Sequence, residues 1–118
     1  MDCTKKTLVV LKPGPNLEKR AAHMEAHFKH EAELMKSGVV LAAGPADDGR
    51  GIGIYSSTDT AQVEDIMKKD PFVSSGVLTI ELVTGWQHCK AARELAAPPH
   101  QPIRDILRRG YPPDLPFG

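Results

Sequence analysis

The sequence predicts an α+β domain in which strands and helices follow the order β-α-β-β-α-β. Two observations predict this order. Short apolar, β-branched runs bounded by glycine and proline turn signals recur along residues 7–84. Two segments between these runs repeat apolar residues at steps of three or four, which is the period of an amphipathic helix. We therefore expect a ferredoxin-like plait, a four-stranded antiparallel sheet with both helices on one face, within a domain spanning residues 1–86.

The first strand and the first helix are predicted from residues 7 to 38. Thr7–Leu11 is a β-branched and apolar run that ends at a Lys-Pro-Gly-Pro turn. Asn16 is the predicted N-cap of a long helix, which Gly38 ends. The helix is expected to bury an apolar stripe centred near three of its residues, Leu17, Phe28 and Met35.

The remaining three strands and the second helix are predicted from residues 39 to 84. Val39–Ala43 and Ile52–Tyr55 flank a loop with an Asp-Gly turn signal, which indicates a hairpin. Asp59, with Gln62 three residues later, resembles a capping box that opens the second helix, and Pro71 follows its end. Val77–Thr84 is the fourth strand.

An uncovered sheet face predicts a partner subunit. Both helices should cover one face only, yet Val77–Val83 carries apolar residues on both faces. We therefore expect a homodimer. Residues 87–118 hold six of the ten prolines and are predicted to form an extension, not a second core. A short helix at Ile103–Arg109, followed by Tyr111, should pack on its own subunit or on the partner.

Composition excludes several classes of function. Fifteen basic and fifteen acidic residues balance, so no basic surface for nucleic acid is expected. No apolar run is long enough to span a membrane, and we expect a cytoplasmic protein. Cys3 and Cys89 stand far apart without metal-ligand spacing, so neither a zinc site nor a disulfide framework is predicted. No motif indicates a cofactor, because the glycines near Gly51 lack the other residues of a phosphate loop.

Three histidines of the first helix are the foremost candidates for chemistry. His23, His27 and His30 fall within about 60° of arc on the helix. Relative to the predicted apolar stripe, His27 should be half-buried and His30 the most solvated. Histidine titrates nearest neutrality and thus suits proton transfer. A metal site stays an alternative that would need a third ligand from elsewhere, because three side chains on one straight helix rarely converge on one ion.

Asp70 is the second candidate. It precedes Pro71 at the predicted C-terminal end of the second helix, where the negative pole of the helix dipole disfavours a carboxylate. The alternative is an ordinary turn aspartate before proline. No serine or cysteine has a convincing base partner, so covalent catalysis is disfavoured.

Two motifs give the chain a family resemblance. The first is His27-x10-Gly38-x4-Ala43-Gly44-Pro45, and the second is Asp70-Pro71-Phe72-x3-Gly76-Val77. In this order and spacing, within residues 7–86, they resemble the YCII-related (YciI-like) family. The resemblance implies a ferredoxin-like plait that dimerises face to face as a dimeric α+β barrel, with a His–Asp pair lining a pocket between helices and sheet.

By this resemblance, His27 and Asp70 are the expected catalytic pair. We expect the substrate to contact further residues around them, namely His23, Gly44, Pro45, Phe72 and Tyr111. Relatives include a dehydrochlorinase that acts on a chlorinated hydroxyquinol. The sequence thus predicts an enzyme without organic cofactor that uses acid–base chemistry on a cyclic or aromatic metabolite, as an isomerase, an HX-eliminating lyase or a cyclase. The alternatives are a non-catalytic dimeric ligand-binding module and a cofactor-independent oxygenase.

Overall fold

Residues 1–91 form four strands and three helices. The structure, a computed structural model, describes residues 1–91. The strands are β1 (Asp2–Pro13), β2 (Val40–Pro45), β3 (Gly51–Tyr55) and β4 (Leu78–Lys90). The helices are α1 (Arg20–Lys36), α2 (Thr60–Lys68) and the one-turn helix α3 (Pro71–Ser74), and a 3-10 turn at Leu17–Lys19 precedes α1.

The sheet has the topology that the sequence predicts. Its strand order is β2-β3-β1-β4, and β3 runs antiparallel to both of its neighbours. Thr7 pairs with Tyr55 and Leu11 with Gly51, whereas the β2–β3 pairing shifts register once, between Val40 and Ala42. The predicted ferredoxin-like α+β fold is therefore confirmed.

One face of the sheet forms the core. Thr7, Val9 and Leu11 alternate inward along β1 and are buried, because successive strand side chains point to opposite faces. Val9 and Leu11 pack in a cluster with other buried side chains, namely Val40, Tyr55, Val63 and Met67. Along β3, Ile52 pairs with Val10 and is exposed, so part of the opposite sheet face is apolar and uncovered within the described residues.

The second helix begins as predicted, but a further helical turn follows it. Asp59 caps α2 by accepting hydrogen bonds from the backbone N–H groups of Ala61 and Gln62. The side chain of Gln62 contacts Ser57 instead of completing a capping box. Pro71 does not simply end the helical segment, since it occupies the first position of α3, where proline's missing N–H is harmless.

Asn16 is the N-cap of the 3-10 turn that leads into α1, but its side chain does not cap the turn. The side chain instead donates to the Ser75 carbonyl at 2.9 Å, while the backbone N–H of Asn16 donates to the Gly76 carbonyl at 2.9 Å. Gly76 has a φ of 78°, and a Cβ there would lie 2.7 Å from the Asn16 amide nitrogen. Asn16 therefore ties the start of α1 to the end of α3, which sets these two helices against each other.

The predicted apolar stripe of α1 does not face the core. Leu17, Phe28 and Met35 are exposed, and α1 has no fully buried residue. The helix packs against α3 and β2 and turns its histidine-bearing side inward instead. The prediction that His30 is the most solvated histidine is wrong as well, because His30 is half-buried and its Nε2 atom is buried.

The prediction that the chain contains no disulfide is wrong. Cys3 and Cys89 form a disulfide between β1 and β4, which are neighbours in the sheet. Strand β4 continues to Lys90, beyond the predicted end at Thr84, and this brings the two cysteines together.

Two further predictions concern membrane-spanning segments and the C-terminal extension. No helix among the described residues is long and apolar enough to cross a membrane. The predicted helix at Ile103–Arg109 and Tyr111 lie outside the described residues.

Candidate active site

A cavity of about 630 Å³ opens between α1 and the core face of the sheet. Val9, Leu11 and Val40 of the sheet line it on one side, and Phe28 and Met35 of α1 line it on the other. The side chains that the sequence pattern assigned to a buried stripe are therefore the walls of this cavity. A mostly apolar, concave space with a few polar groups is typical of a small-molecule site.

His27 and Asp70 meet inside this cavity. The Nδ1 atom of His27 lies 2.8 Å from Oδ1 and 3.0 Å from Oδ2 of Asp70. Asp70 is 6% exposed, and the same Oδ1 accepts the backbone N–H of Phe72 at 2.8 Å. The carboxylate thus caps α3 and holds the imidazole at once.

Asp70 follows the end of α2, as expected, but it also starts a further helix. It comes directly after Lys69, the C-cap of α2, and is itself the N-cap of α3. The backbone N–H group at the start of a helix attracts a carboxylate. The pair of contacts explains why a charged group is accepted in a buried position.

Phe72 fixes the plane of the imidazole. The two rings stack with centroids 4.0 Å apart and an interplanar angle of 10°. Phe72 is buried and belongs to α3, the helix that Asp70 caps. The N-cap of α3, Asp70, therefore fixes the hydrogen bond of His27, and Phe72, two residues later, fixes the face of its ring.

Glu31 approaches the other nitrogen of the ring. Its Oε2 atom lies 3.0 Å from His27 Nε2, and the two residues are one helical turn apart on α1. The side chains of His27 and Glu31 are 13% and 22% exposed. Both ring nitrogens of His27 thus have a carboxylate partner.

Tyr55 places a phenol beside these carboxylates. It is 5% exposed on β3, lines the cavity and donates its O–H to the Met67 sulfur at 2.6 Å. Burial raises the pKa of Tyr55, and the charges of Asp70 and Glu31 raise it further. Tyr55 therefore stays protonated throughout the physiological range and adds no charge to the cavity.

The structure brings most of the predicted site residues together. Gly44, Pro45 and Phe72 line the cavity that holds His27 and Asp70. His23 is half-buried but is not among the lining residues, whereas His30 is one of them. The Nε2 atom of His30 has no hydrogen-bond partner among the described residues.

Among the residues that the structure describes, no group of three or more His, Cys, Asp and Glu side chains is arranged to hold an ion. At His27, one carboxylate lies at each of the two ring nitrogens. These two contacts suit the sharing of protons among His27, Glu31 and Asp70.

Sequence reasoning missed Glu31 and Tyr55. Glu31 follows His27 by four positions, and residues at this spacing face each other on a helix. Tyr55 alternates inward with Gly53 on β3, and the missing side chain at Gly53 makes room for its ring, since a Cβ there would lie 3.3 Å from it. The first signal was present in the sequence, whereas the second depends on strand register.

Comparisons with known proteins agree with the fold. A solved structure of 5-chloro-2-hydroxyhydroquinone dehydrochlorinase from Burkholderia phenoliruptrix, in complex with 2,5-dihydroxybenzoquinone, is similar to this chain with a TM-score of 0.50 and 17% sequence identity. The similarity covers 75% of this chain and 97% of the dehydrochlorinase chain. At this identity it shows the shared fold alone. No curated protein sequence matches the chain.

The family is shown by a match over most of the described residues. The family model of the YCII-related domain matches residues 6–87, which contain every residue of the cavity. This agrees with the two sequence motifs that end at Pro45 and Val77. The chain belongs to the YCII-related domain family.

Proposed function

We propose that this protein is a small-molecule enzyme that transfers protons with His27 and Asp70 and needs no organic cofactor. One observation carries the proposal, namely the 2.8 Å contact between His27 Nδ1 and the buried Asp70 carboxylate within a mostly apolar cavity. An imidazole whose Nδ1–H is fixed by a carboxylate presents Nε2 as the atom that exchanges a proton.

The two residues have separate roles in this proposal. Asp70 orients the ring and stabilises the imidazolium that forms when His27 accepts a proton. His27 takes a proton from a substrate C–H or O–H bond, and the electron pair of that bond moves into the substrate. The pair then either expels a leaving group, as in HX elimination, or takes a proton back at another atom, as in isomerisation.

The cavity favours a cyclic or aromatic substrate. Its walls include the rings of Phe28, Phe72 and Tyr55, and planar ligands pack well against such surfaces. The structural neighbour was solved with a quinone bound, which supports a ligand of this shape. A single substituted ring is well within a cavity of about 630 Å³.

We further propose that the enzyme is a homodimer. The uncovered sheet face carries apolar side chains from two paired strands, among them Val10 and its exposed partner Ile52. A second copy that packs its own sheet on this face would remove it from water. Such a dimer would be the α+β barrel that the family resemblance implies.

A chloride-release assay tests the proposed chemistry. Wild-type protein is mixed with a panel of chlorinated hydroxyquinols and cyclic ketones, and free chloride and product spectra are followed. His27→Ala is expected to lower turnover about 100-fold or more, since that is the usual contribution of a positioned acid–base group. His30→Ala, at a cavity residue without a contact to Asp70, is the matched control and is expected to change turnover little.

Other outcomes point to the alternatives. Ligand binding without any turnover would favour a binding module, and oxygen consumption during turnover would favour an oxygenase. Equal losses from the His27 and His30 variants would contradict a specific role of the His27–Asp70 pair.

A further inference from the structure

The contact between Glu31 and His27 sets how many protons the site holds. His27 has Asp70 at 2.8 Å from Nδ1 and Glu31 at 3.0 Å from Nε2. Each of these contacts is a hydrogen bond only if one proton lies between the two atoms. Two protons must therefore be shared among His27, Glu31 and Asp70 when both contacts are formed. Either the ring is an imidazolium between two carboxylates, or the ring is neutral and one of the two carboxyl groups, Glu31 or Asp70, is protonated and donates to it.

Loss of one proton leaves only one of these contacts favourable. The neutral ring with its hydrogen on Nδ1 still donates to Asp70, but its Nε2 lone pair then faces the Glu31 carboxylate. Two acceptors at 3.0 Å repel each other, so the Glu31 contact opens. The opposite choice, a hydrogen on Nε2, would leave the more buried carboxylate of Asp70 facing a lone pair, which is the costlier arrangement.

The two carboxylates differ in how easily they move. Asp70 is held by the Phe72 N–H as well as by His27 and is almost fully buried. Glu31 has no other hydrogen bond or ion pair among the described residues and is the more exposed of the two. Its longer side chain lines the cavity and can rotate into it. Glu31 is therefore the carboxylate that moves when a proton leaves.

Protonated His27 is the cation in contact with both carboxylates. Within the described part of the chain, no lysine or arginine forms an ion pair with Glu31 or Asp70. Arg20, His30 and Arg50 also line the cavity, and Arg50 pairs with Asp48 and Glu81 instead. Tyr55 of β3 interacts with both carboxylates and stays neutral.

We propose that Glu31 is a positioning residue that holds the second proton on His27 and covers its Nε2 atom until that proton leaves. With two protons on the three groups, His27 is an acid whose Nε2 atom is covered by Glu31. With one proton, Glu31 turns away, and the Nε2 atom of His27 is a free base that faces the cavity. When a substrate C–H or O–H bond yields its proton to Nε2, its electron pair stays on the substrate, and Glu31 closes on the new N–H. This deepens the proposed function, because it assigns the acid and base forms of the same histidine.

Nitrogen NMR of the imidazole ring tests this role without a substrate. Wild-type protein, Glu31→Gln and Glu31→Asp are labelled with ¹⁵N at histidine, and the protonation of each His27 nitrogen is followed through a pH titration. In Glu31→Gln, the pH at which His27 loses its second proton should fall measurably, since a carboxylate 3.0 Å from Nε2 is removed. Glu31→Asp keeps the charge and should lose less than half of this shift. Glu33→Gln makes the same change on an exposed side of α1 and should titrate like the wild type.

The same spectra report which nitrogen keeps its proton. In the wild type above the titration, the remaining hydrogen should be on Nδ1, and the Nε2 signal should be that of a bare nitrogen. A Glu31→Gln variant that titrates like the wild type would overturn the proposal, as would a remaining hydrogen on Nε2. Circular dichroism shows whether Glu31→Gln is folded. If it is not, the titration of Glu31→Asp compared with the wild type decides the role of Glu31.

The inference and the proposed function fail separately. If the His27→Ala variant keeps full turnover, the proposed chemistry is wrong while the NMR titration still decides the role of Glu31. If Glu31→Gln leaves the titration unchanged but His27→Ala abolishes turnover, the His27–Asp70 pair acts without Glu31.

Discussion

Replacing Asp70 should destabilise the protein far more than replacing an ordinary helix cap. Asp70 and Asp59 both cap helices through a carboxylate that accepts backbone N–H groups. Only Asp70 is buried and also holds His27. Asp59→Ala is therefore the matched control, because it removes the cap function from an exposed position without touching the site.

The magnitude follows from the contacts that each variant loses. A lost N-cap costs about 1 kcal/mol of unfolding free energy. The hydrogen bond to His27 contributes about 2 kcal/mol more, because it is charge-assisted and its loss leaves a partly buried ring nitrogen unpaired. Asp70→Ala should thus lower the unfolding free energy by about 3 kcal/mol and Asp59→Ala by about 1 kcal/mol. Asp70→Asn keeps an acceptor for Phe72 and should fall between them.

Urea unfolding at neutral pH, followed by circular dichroism, measures these differences. With a slope of about 1.5 kcal/mol per molar urea, the midpoint of Asp70→Ala should drop by about 2 M. The protein concentration is held constant, so that dimer dissociation does not confuse the comparison. Equal midpoints for Asp70→Ala and Asp59→Ala would refute the assignment of a stabilising His27–Asp70 bond.

Three further predictions follow from other parts of the molecule. Sedimentation at micromolar concentration should give about twice the monomer mass of 12.8 kDa, and a stable monomer would contradict the barrel. Stability should fall as the pH rises above about 10, where free tyrosine ionises, because the folded chain keeps Tyr55 protonated and the unfolded chain does not. Tyr55→Phe should lose this part of the pH dependence, as a urea series at pH 9 to about 11 would show. Reduction of the disulfide, which joins residues 86 positions apart, should lower the unfolding free energy by about 2 to 4 kcal/mol, and Cys3→Ser should then no longer respond to reductant.

The strand order and the location of the site could be predicted because their signals are local. The runs at Thr7–Leu11 and Ile52–Tyr55 are bounded by turn residues, and the Asp-Gly signal fixes the hairpin between β2 and β3. Asp59 caps α2 because the residue and its spacing suffice for the contact. The motifs that end at Pro45 and Val77 placed the candidate pair, His27 and Asp70, on elements that the structure brings together.

The orientation of α1 could not be predicted, because it depends on tertiary contacts. The apolar spacing of Leu17, Phe28 and Met35 fits a helix that lies with this stripe on a core. Asn16 instead ties the helix start to α3, and the contacts of His27 turn the polar side inward. The stripe then lines a cavity, and a periodicity rule cannot distinguish a cavity wall from a core.

The Cys3–Cys89 bond was missed for a related reason. Residues that far apart meet only if β4 extends past the predicted end and pairs along β1 to its first residues. The exposed, polar sequence near Gln87 gave no sign of a continuing strand.

Hydrogen–deuterium exchange on a ring substrate tests the central claim most directly, because proton transfer is measured without any leaving group. The ring protons of 2,5-dihydroxybenzoquinone are followed by proton NMR in D₂O with wild-type protein, His27→Ala and His30→Ala. The account predicts that the wild type and His30→Ala accelerate the exchange alike and that His27→Ala loses about 100-fold of this acceleration. Acceleration by His27→Ala equal to that of the wild type, or no acceleration by the wild type although the quinone binds in the cavity, would contradict it.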